Sequence, residues 1–302
     1  MISRLLADGS AEDADIRVGM IGRGIDRSRI PAMHKWEAEA QGLAYDFRLF
    51  NTDRLDDPET SLADILAMVE AEGYAGVNIT HPYKRDAMAY VDELSVMALS
   101  VGAINTIIFE NGRRFGHNTD CWGFAEAFRR NLAAADHSRV LLLGAGGAGG
   151  AVATALMDNG VDELFISDVN AETAAALARS LGNRFGTEAV TAVTAPADIA
   201  CNVTGIVNSS PVGTLSHPGL PLPADLLNAH HWVADIVYFP VETDLLIAAR
   251  SLGCHTMPGS RMAVYQAART FELFTGRKAD PARMQACFDS FSDADGAPDD
   301  AR

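Results

Sequence analysis

The sequence predicts an α/β protein of two domains, the second of which is a doubly wound sheet of parallel strands. Three observations support this prediction. A chain of 302 residues is long enough for about two domains. Short apolar runs alternate with segments of helical periodicity along most of its length. From Arg139 onward, strands alternate with helices of about 10–15 residues, which is the pattern of a parallel sheet.

The first half of the chain alternates strands and helices up to a hairpin. Strands are predicted at Ile16–Ile21, Tyr45–Leu49 and Gly76–Ile79, and helices at Ala32–Gln41 and Ser61–Glu72. Each of these helices is followed by a glycine, and the second repeats apolar side chains along one face. The dipeptide Asn111–Gly112 then predicts a hairpin turn. This half is therefore predicted to be α/β.

In the second half, predicted strands and helices alternate more regularly. Val140–Leu143 is wholly apolar, as expected of a strand that is buried on both faces. Further strands are predicted at Glu163–Ser167, Ile206–Asn208 and Val233–Ile236, and helices at Ala148–Asn159, Ala171–Leu181 and Thr243–Leu252. Two last helices, Arg261–Thr275 and Pro281–Ser290, follow this sheet, and we expect them to pack on the first domain.

Composition limits the function classes. The formal charge of −16 disfavours binding to nucleic acid or to an anionic membrane. No apolar run approaches the roughly 20 residues of a membrane span, and the amino terminus lacks the apolar stretch of a secretory signal. The four cysteines lie far apart, without metal-ligand spacing. We therefore expect a cytoplasmic protein with free thiols and no metal, monomeric or homodimeric, with a disordered acidic tail at 291–302.

A glycine-rich loop predicts a dinucleotide site. The segment Gly144-Ala-Gly146-Gly-Ala-Gly149 follows an apolar strand directly and opens an alanine-rich helix. Glycines permit the tight turn and the close approach of a pyrophosphate, which then faces the amino terminus of the helix. The predicted cofactor-binding residues of this loop are Gly144, Gly146, Gly147, Ala148 and Gly149.

Asp168 bears on the choice of dinucleotide. It ends the second strand about 20 residues beyond the loop, where an acid binds the ribose hydroxyls of the adenosine. A carboxylate there repels a 2′-phosphate, and the segment Ser167–Asn170 offers no arginine to bind one. The sequence therefore favours NAD over NADP. In the alternative, Asp168 merely caps the helix that begins near Ala171.

Two further segments place polar residues at strand ends. One is Asn78-Ile-Thr80-His-Pro82-Tyr-Lys84, and the other is Gly116-His-Asn118-Thr119-Asp120, which precedes a helix. Taken singly, each has an ordinary explanation. Lys84 could be a surface lysine at a helix start, and Asp120 could be the N-cap of a helix over residues 121–132.

Together these segments resemble the shikimate dehydrogenase family, including its quinate/shikimate dehydrogenase branch. Asn78–Lys84, Gly102–Thr106 and Gly116–Asp120 are similar to the family's N-V-T-x-P-x-K, A-x-N-T and G-x-N-T-D segments. Asn208–Gly213, Asp235–Pro240 and Gly259–Gln266 resemble its N-x-T-P-x-G loop, its D-x-x-Y-x-P strand and the opening of its late helix. The matches run in the family's order from about Gly19 to Gly276.

This resemblance implies a domain division and a set of roles. Residues 1–118 and 259–290 would form a substrate-binding, catalytic domain, and residues 119–258 an NAD(P)-binding Rossmann domain. Lys84 would transfer the proton of the reacting hydroxyl, while Asp120 would orient Lys84 and bind that hydroxyl. The remaining predicted residues are Ser28, Thr80, Asn105, Tyr238 and Gln266 for the substrate, and Val237 and Gly259 for the cofactor, with Gly259 behind the nicotinamide.

The chain departs from the family at one substrate position. The family binds the substrate carboxylate with two hydroxyl residues just before a proline, and here Ser28 matches the first while Ile30 replaces the second. Losing such a bond weakens carboxylate binding by roughly 1.5–3 kcal/mol unless another group replaces it. The candidates are Arg23, Arg27, Arg29 and Arg261, which could equally form a solvated rim.

The expected function is therefore that of an oxidoreductase. It would transfer a hydride between a ring hydroxyl of shikimate or quinate and NAD, a reaction type that belongs to the shikimate pathway of aromatic amino acid biosynthesis. The alternatives are an NADP-dependent biosynthetic shikimate dehydrogenase and a paralogue for another ring acid such as aminoshikimate. A non-catalytic NAD-binding sensor is a further alternative from a different class.

Overall fold

The computed structural model describes residues 14–55 and 60–291, which divide into two compact units. The first unit comprises the described residues up to Thr119 together with Gln266–Phe291, and the second comprises Asp120–Tyr265. The predicted acidic tail from residue 292 on lies outside the described residues, as does the amino-terminal segment 1–13. No helix in the described ranges is long and apolar enough to cross a membrane.

The first unit contains a mixed sheet of six strands in the order β2-β1-β3-β5-β6-β4. Its strands are β1 (Ile16–Gly22), β2 (Tyr45–Asn51), β3 (Gly76–Ile79), β4 (Glu93–Leu94), β5 (Thr106–Glu110) and β6 (Arg113–His117). β1 runs parallel to β2 and β3, whereas β5 is antiparallel to both β3 and β6. The predicted hairpin turn is confirmed, since Asn111 and Gly112 both have the positive φ of a tight hairpin.

Within the described ranges, four α-helices belong wholly to this unit, and the last of them packs against the first. They are α1 (Ile30–Ala40), α2 (Leu62–Ala71), α3 (Val96–Val101) and, near the carboxyl terminus, α10 (Pro281–Asp289). The carboxylate of Glu37 in α1 is fully buried and pairs with Arg283 of α10 at 2.7 Å. Removing one partner of a buried pair leaves an uncompensated charge, so this pair fastens the last helix to the first.

The second unit contains a wholly parallel sheet in the order β12-β11-β10-β7-β8-β9. Its strands are β7 (Arg139–Leu143), β8 (Glu163–Ser167), β9 (Val190–Ala192), β10 (Gly205–Asn208), β11 (Trp232–Asp235) and β12 (His255–Met257). Its helices include α5 (Gly147–Asp158), α6 (Ala171–Phe185), α7 (Pro196–Ala200) and α8 (Asp244–Ser251). Two further helices, α4 (Thr119–Asn131) and α9 (Gly259–Thr275), contain residues of both units.

This topology confirms the predicted Rossmann-type fold. The strand order reverses between β7 and its neighbour β10, so the loops that leave their carboxyl ends diverge. Ligands of open parallel sheets bind where such loops diverge. β7 is buried along nearly its whole length, and the small side chains of α5 let that helix pack closely against the sheet.

Candidate functional site

The glycine loop between β7 and α5 is closed too tightly for side chains at two positions. Gly144 has a φ of +102°, and a Cβ there would lie 2.7 Å from the Ser210 nitrogen. A Cβ on Gly149 would lie 2.3 Å from the carbonyl oxygen of Gly144. Only glycine fits at either position, because both neighbouring groups are backbone.

Gly146 differs from both of them. A Cβ built there would meet no atom within 4 Å, and the residue is exposed. Gly146 is also the N-cap residue of α5, and because it has no side chain it gives the first amides of the helix no hydrogen-bond acceptor. The bare backbone and the uncapped amides of Gly147 and Ala148 therefore fit an anionic pyrophosphate.

Asp168 is joined to this loop. Its Oδ2 accepts a hydrogen bond from the Ala145 amide at 2.7 Å, and its Oδ1 accepts one from the Asn170 amide at 2.9 Å. The cap of α6 is Asn170, whose side chain accepts from the Glu172 and Thr173 amides. Asp168 therefore does not serve as that cap, and each of its oxygens keeps a lone pair for a further donor.

The carboxyl ends of β10 and β11 carry a buried polar network. Asp235 is buried, and it accepts hydrogen bonds from the Asn208 side chain, the Val237 amide and the Thr243 hydroxyl. Burial raises the pKa of Asp235 to about 6. The sequence identifies Asn208 and Asp235 only as members of segments that resemble the family and assigns neither of them a role. Their places at the ends of two adjacent buried strands were the available signal for a shared role.

Val237 and Gly259 meet at the start of α9. A Cβ on Gly259 would lie 2.4 Å from the Val237 carbonyl oxygen and 2.6 Å from that of Ile236. The helix therefore begins directly against the loop that follows β11. Tyr238, the next residue in that loop, is half-buried.

In the first unit, the loop after β1 carries Ser28. This loop is held by ion pairs and hydrogen bonds to the residues that follow β2. Asp26 pairs with Arg54 at 2.8 Å, and the Gly24 amide donates to Asp53 Oδ2 at 2.9 Å. Ser28 is half-buried, and its hydroxyl accepts a hydrogen bond from the Ile30 amide at 3.4 Å.

Arg29 does not lie with the exposed arginines of this loop. It is buried, donates to the carbonyl oxygen of Phe288 at 3.0 Å, and places its guanidinium 4.5 Å from the centre of the Phe288 ring. Arg29 thus binds α10, and Ile30 beside it is buried as well. Of the candidate carboxylate ligands, Arg23 pairs with Asp53 at 3.6 Å.

Asn105 uses its side chain to hold the start of α4. Its Oδ1 accepts from the Thr119 amide at 2.8 Å and from the Thr106 hydroxyl at 3.1 Å, and its Nδ2 donates to the Thr119 hydroxyl at 2.9 Å. All of these side chains are buried. Asp120, also buried, is the next residue of the helix, so Asn105 fixes the backbone immediately before it. Asp120 therefore lies within α4 and is not its N-cap.

Lys84 and Thr80 lie in the turn that follows β3. The Thr80 amide donates to the Ile21 carbonyl oxygen at 3.0 Å, and the Lys84 carbonyl oxygen accepts from the Ile104 amide at 2.8 Å. Both side chains are half-buried. This turn also contacts the Ser28 loop, because the Arg23 amide donates to the His81 carbonyl oxygen at 2.9 Å. The Ser28 loop, Thr80 and Lys84 follow the carboxyl ends of the parallel strands β1 and β3, and Asn105 precedes the antiparallel strand β5. All four residues therefore belong to segments at the same end of the first sheet.

The predicted residues are thus distributed over both units. The first unit holds Ser28, Thr80, Lys84, Asn105 and, half-buried in α9, Gln266; the second holds Asp120, the glycine loop, Asp168, Val237, Tyr238 and Gly259. Among residues 14–55 and 60–291, no cluster of three or more His, Cys, Asp or Glu side chains could hold a metal ion.

Comparisons with known proteins identify the family of the chain. Residues 20–107 match the model of the shikimate dehydrogenase substrate binding domain, and residues 259–286 match that of the shikimate 5′-dehydrogenase C-terminal domain. The chain is 46% identical over 272 residues to a shikimate dehydrogenase (NADP(+)) of Streptomyces avermitilis, covering 89% of this chain and 93% of the relative. It is 43% identical over 276 residues to a quinate/shikimate dehydrogenase (NAD(+)) of Corynebacterium efficiens, covering 90% and 97%.

A solved structure of a related enzyme has the same fold. Quinate dehydrogenase from Corynebacterium glutamicum in complex with NAD superposes with a TM-score of 0.87 at 42% sequence identity, covering 91% of this chain and 99% of that one. The fold, the sequence segments and the relatives all indicate the same family. The chain belongs to the shikimate dehydrogenase family, NAD(P)-dependent oxidoreductases that act on a CH–OH group.

Proposed function

We propose that this protein catalyses the reversible oxidation of a ring hydroxyl of shikimate or quinate with NAD, giving 3-dehydroshikimate or 3-dehydroquinate. The observation that carries the proposal is the structure of the glycine loop. The backbone of this loop is open at Gly146, and the amide of the preceding residue, Ala145, donates a hydrogen bond to Asp168. NAD bound there would supply the hydride acceptor.

Lys84 and Asp120 are the proposed catalytic residues. Oxidation of a carbinol requires that the hydroxyl proton leave as the hydride departs from the carbon. Lys84 takes that proton and returns it in the reverse direction. Asp120 orients Lys84 and binds the reacting hydroxyl. Its place immediately after Thr119, which Asn105 anchors through two hydrogen bonds, gives it a fixed backbone position for this role.

The substrate ring would be bound by polar side chains of the first unit. In this proposal the ligands are Ser28, Thr80, Asn105 and Gln266, and Tyr238 lies beside the nicotinamide. Asn105 retains one hydrogen of Nδ2 for a ring hydroxyl after its bond to Thr119. Because Ile30 offers no hydroxyl and Arg29 is bound to Phe288, we propose that the carboxylate relies on Ser28 and on the more exposed arginines, Arg27 among them.

Asp168 is the proposed selector of NAD. The two relatives named above differ in cofactor, one using NADP and the other NAD by name. A carboxylate at the ribose accepts from the 2′-hydroxyl and repels a 2′-phosphate. Arg179, the next cation along α6, pairs with Glu172 at 2.6 Å, so it is engaged by an acid of its own helix. This supports NAD over NADP. We further propose that the protein acts in the cytoplasm on small molecules, as a monomer or homodimer.

An initial-rate grid on the purified protein tests the proposal. Shikimate, quinate and a plain 2-hydroxy acid are each offered with NAD and with NADP, and the reduced nicotinamide is followed by its absorbance. We expect turnover of shikimate or quinate with NAD, and none of the 2-hydroxy acid. Turnover only with NADP would overturn the role of Asp168. Tight NADH binding without turnover of either ring acid would favour a sensor or a different ring substrate.

A further inference from the structure

Asp235 lies at the junction of three loops in the second unit. Asp235 is 1% exposed, and its carboxylate accepts three hydrogen bonds. Oδ1 accepts from Asn208 Nδ2 at 2.9 Å and from the Val237 amide at 3.0 Å, and Oδ2 accepts from the Thr243 hydroxyl at 2.7 Å. Each donor belongs to a different segment of the chain, so one carboxylate joins the ends of β10 and β11 and the start of α8.

One arm of this network leads to the glycine loop. Asn208 accepts from the amide and the hydroxyl of Ser210, at 3.1 and 2.7 Å, which shapes the turn after β10. The neighbouring hydroxyl of Ser209 donates to the Gly144 carbonyl oxygen at 2.7 Å. A Cβ on Gly144 would strike this same turn. The turn and the glycine loop therefore hold each other in place.

The other arms lead to the nicotinamide side. The Val237 amide is fixed by Asp235, and the Val237 carbonyl oxygen is the atom against which Gly259 begins α9. Thr243, the third donor, is the N-cap of α8 and accepts from the Leu246 amide at 3.3 Å. The loop between Asp235 and Thr243, which carries Val237 and Tyr238, is thus tied at both of its ends to one carboxylate.

We propose that Asp235 is a positioning residue of the dinucleotide site, which holds the glycine loop and the Val237–Tyr238 loop in register with each other. The inference rests on the proposed function, since it assigns the two loops to the two halves of one cofactor. A buried carboxylate is costly, and packing alone is served as well by an apolar side chain. What Asp235 adds is a single acceptor for donors from three segments, which fixes their relative positions.

The test compares Asp235→Leu, which replaces the carboxylate by an apolar side chain and removes the acceptors, with Asp235→Asn, which keeps the size of the side chain, an acceptor for Val237 and a polar partner for Thr243. NADH binding is measured by fluorescence titration, independently of turnover. We expect Asp235→Leu to weaken NADH binding about tenfold or more and Asp235→Asn to stay within about threefold of the wild type. In steady-state kinetics KM for NAD rises, while KM for the ring acid changes little.

Asp46 provides the matched control. It is a buried acid on a strand of the first unit that accepts from Arg48 at 2.9 Å, and we expect Asp46→Leu to leave NADH affinity unchanged. If Asp235→Leu does not fold, Thr243→Val decides, because it removes the bond to Asp235 and the cap bond to Leu246 but leaves Asp235 with its other two donors. Wild-type NADH affinity in a folded Asp235→Leu, or in Thr243→Val in that case, overturns the inference. A wild type that neither binds NADH nor turns over ring acids instead refutes the proposed function.

Discussion

The Oδ2 atom of Asp168 and the amide nitrogen of Ala145 are 2.7 Å apart, so the acid that follows β8 is bonded to the loop that follows β7. The two segments are distant in sequence but adjacent in the sheet. Asp168 therefore has two tasks in the proposed site. It faces the adenosine ribose with its remaining lone pairs, and it fixes the glycine loop.

Substitution of Asp168 should separate these two tasks. Asp168→Ser removes the ribose ligand and the acceptor for Ala145, whereas Asp168→Asn keeps an acceptor for the loop. We expect Asp168→Ser to raise KM for NAD about tenfold or more and Asp168→Asn to raise it less, since each lost hydrogen bond is worth about 0.5–1.5 kcal/mol. Initial rates over a range of NAD concentrations measure the difference. Asp162→Ser, which removes an exposed acid of the same unit, is the control.

Cofactor preference should follow the charge at the ribose. Val169 is fully exposed, so an arginine there meets no steric obstacle. Combining Asp168→Ser with Val169→Arg replaces a repulsive carboxylate by a cation that can bind a 2′-phosphate. We expect the ratio of kcat/KM for NAD to that for NADP to fall by about 100-fold, or roughly 2.7 kcal/mol. An unchanged ratio in the double variant would remove Asp168 as the selector.

Substitution by alanine should lower stability at one glycine of the loop and cofactor binding at another. A Cβ at Gly149 meets backbone at 2.3 Å, so Gly149→Ala should destabilise the fold by about 1–3 kcal/mol. A Cβ at Gly146 meets no atom within 4 Å, so Gly146→Ala should unfold at the same temperature as the wild type. It should still weaken NADH binding about tenfold, because the new methyl group occupies space that the pyrophosphate needs. Thermal unfolding and NADH titration together measure both effects. Wild-type NADH affinity in Gly146→Ala would contradict the loop assignment.

The elements with strong local patterns were predictable from sequence. The limits of β8 were predicted as observed, and those of β7 and α5 to within one residue, because apolar runs and glycines mark them. The short elements α3 and α7 were missed, as were the two-residue β4 and three-residue β9 and β12, since their few residues carry no periodicity. α6 runs to Phe185, four residues past its predicted end at Leu181, because Gly182 is accommodated inside the helix.

The site was predictable as a set of residue types but not as a network. Sequence resemblance could assign Asn105 to the substrate, yet its bonds to Thr119 depend on how β5 and the start of α4 come together. Arg29 shows the converse. Beside Ser28 it suggested a carboxylate ligand, but its side chain is bound to Phe288, a residue 259 positions further along the chain. No local pattern records such a partner.

Lys84 should be required for chemistry and dispensable for binding the cofactor. If it transfers the hydroxyl proton, Lys84→Ala should lower kcat by about 100-fold to 10,000-fold, the usual contribution of a positioned acid or base. NADH affinity should stay at the wild-type value, because Lys84 belongs to the first unit and the glycine loop to the second. Arg85→Ala, which removes the exposed neighbouring cation, should keep full activity. Unaltered turnover in Lys84→Ala would eliminate the proposed mechanism.

His34 should make the protein sensitive to mild acid. It is fully buried in α1, with Nδ1 2.8 Å from the Tyr45 hydroxyl and its ring against Phe47 and Phe271. Burial lowers the pKa of His34 to about 3. The unfolded chain takes up a proton near pH 6.5 that the folded protein does not accept, so the stabilising contribution is present above pH 6.5 and is lost as the pH falls towards 3.

Urea unfolding at pH 7 and pH 5 measures this contribution. By linkage, protonation of His34 in the unfolded chain should lower the unfolding free energy of the wild type by about 2 kcal/mol when the pH falls from 7 to 5. His34→Gln cannot take up a proton, so its loss over the same interval should be smaller by that amount. Asp235 acts in the opposite sense, because its pKa of about 6 lies above the unfolded value and its contribution grows as the pH falls. That contribution is common to both proteins and cancels in the comparison. An equal loss in the two proteins would show that another group carries the acid sensitivity.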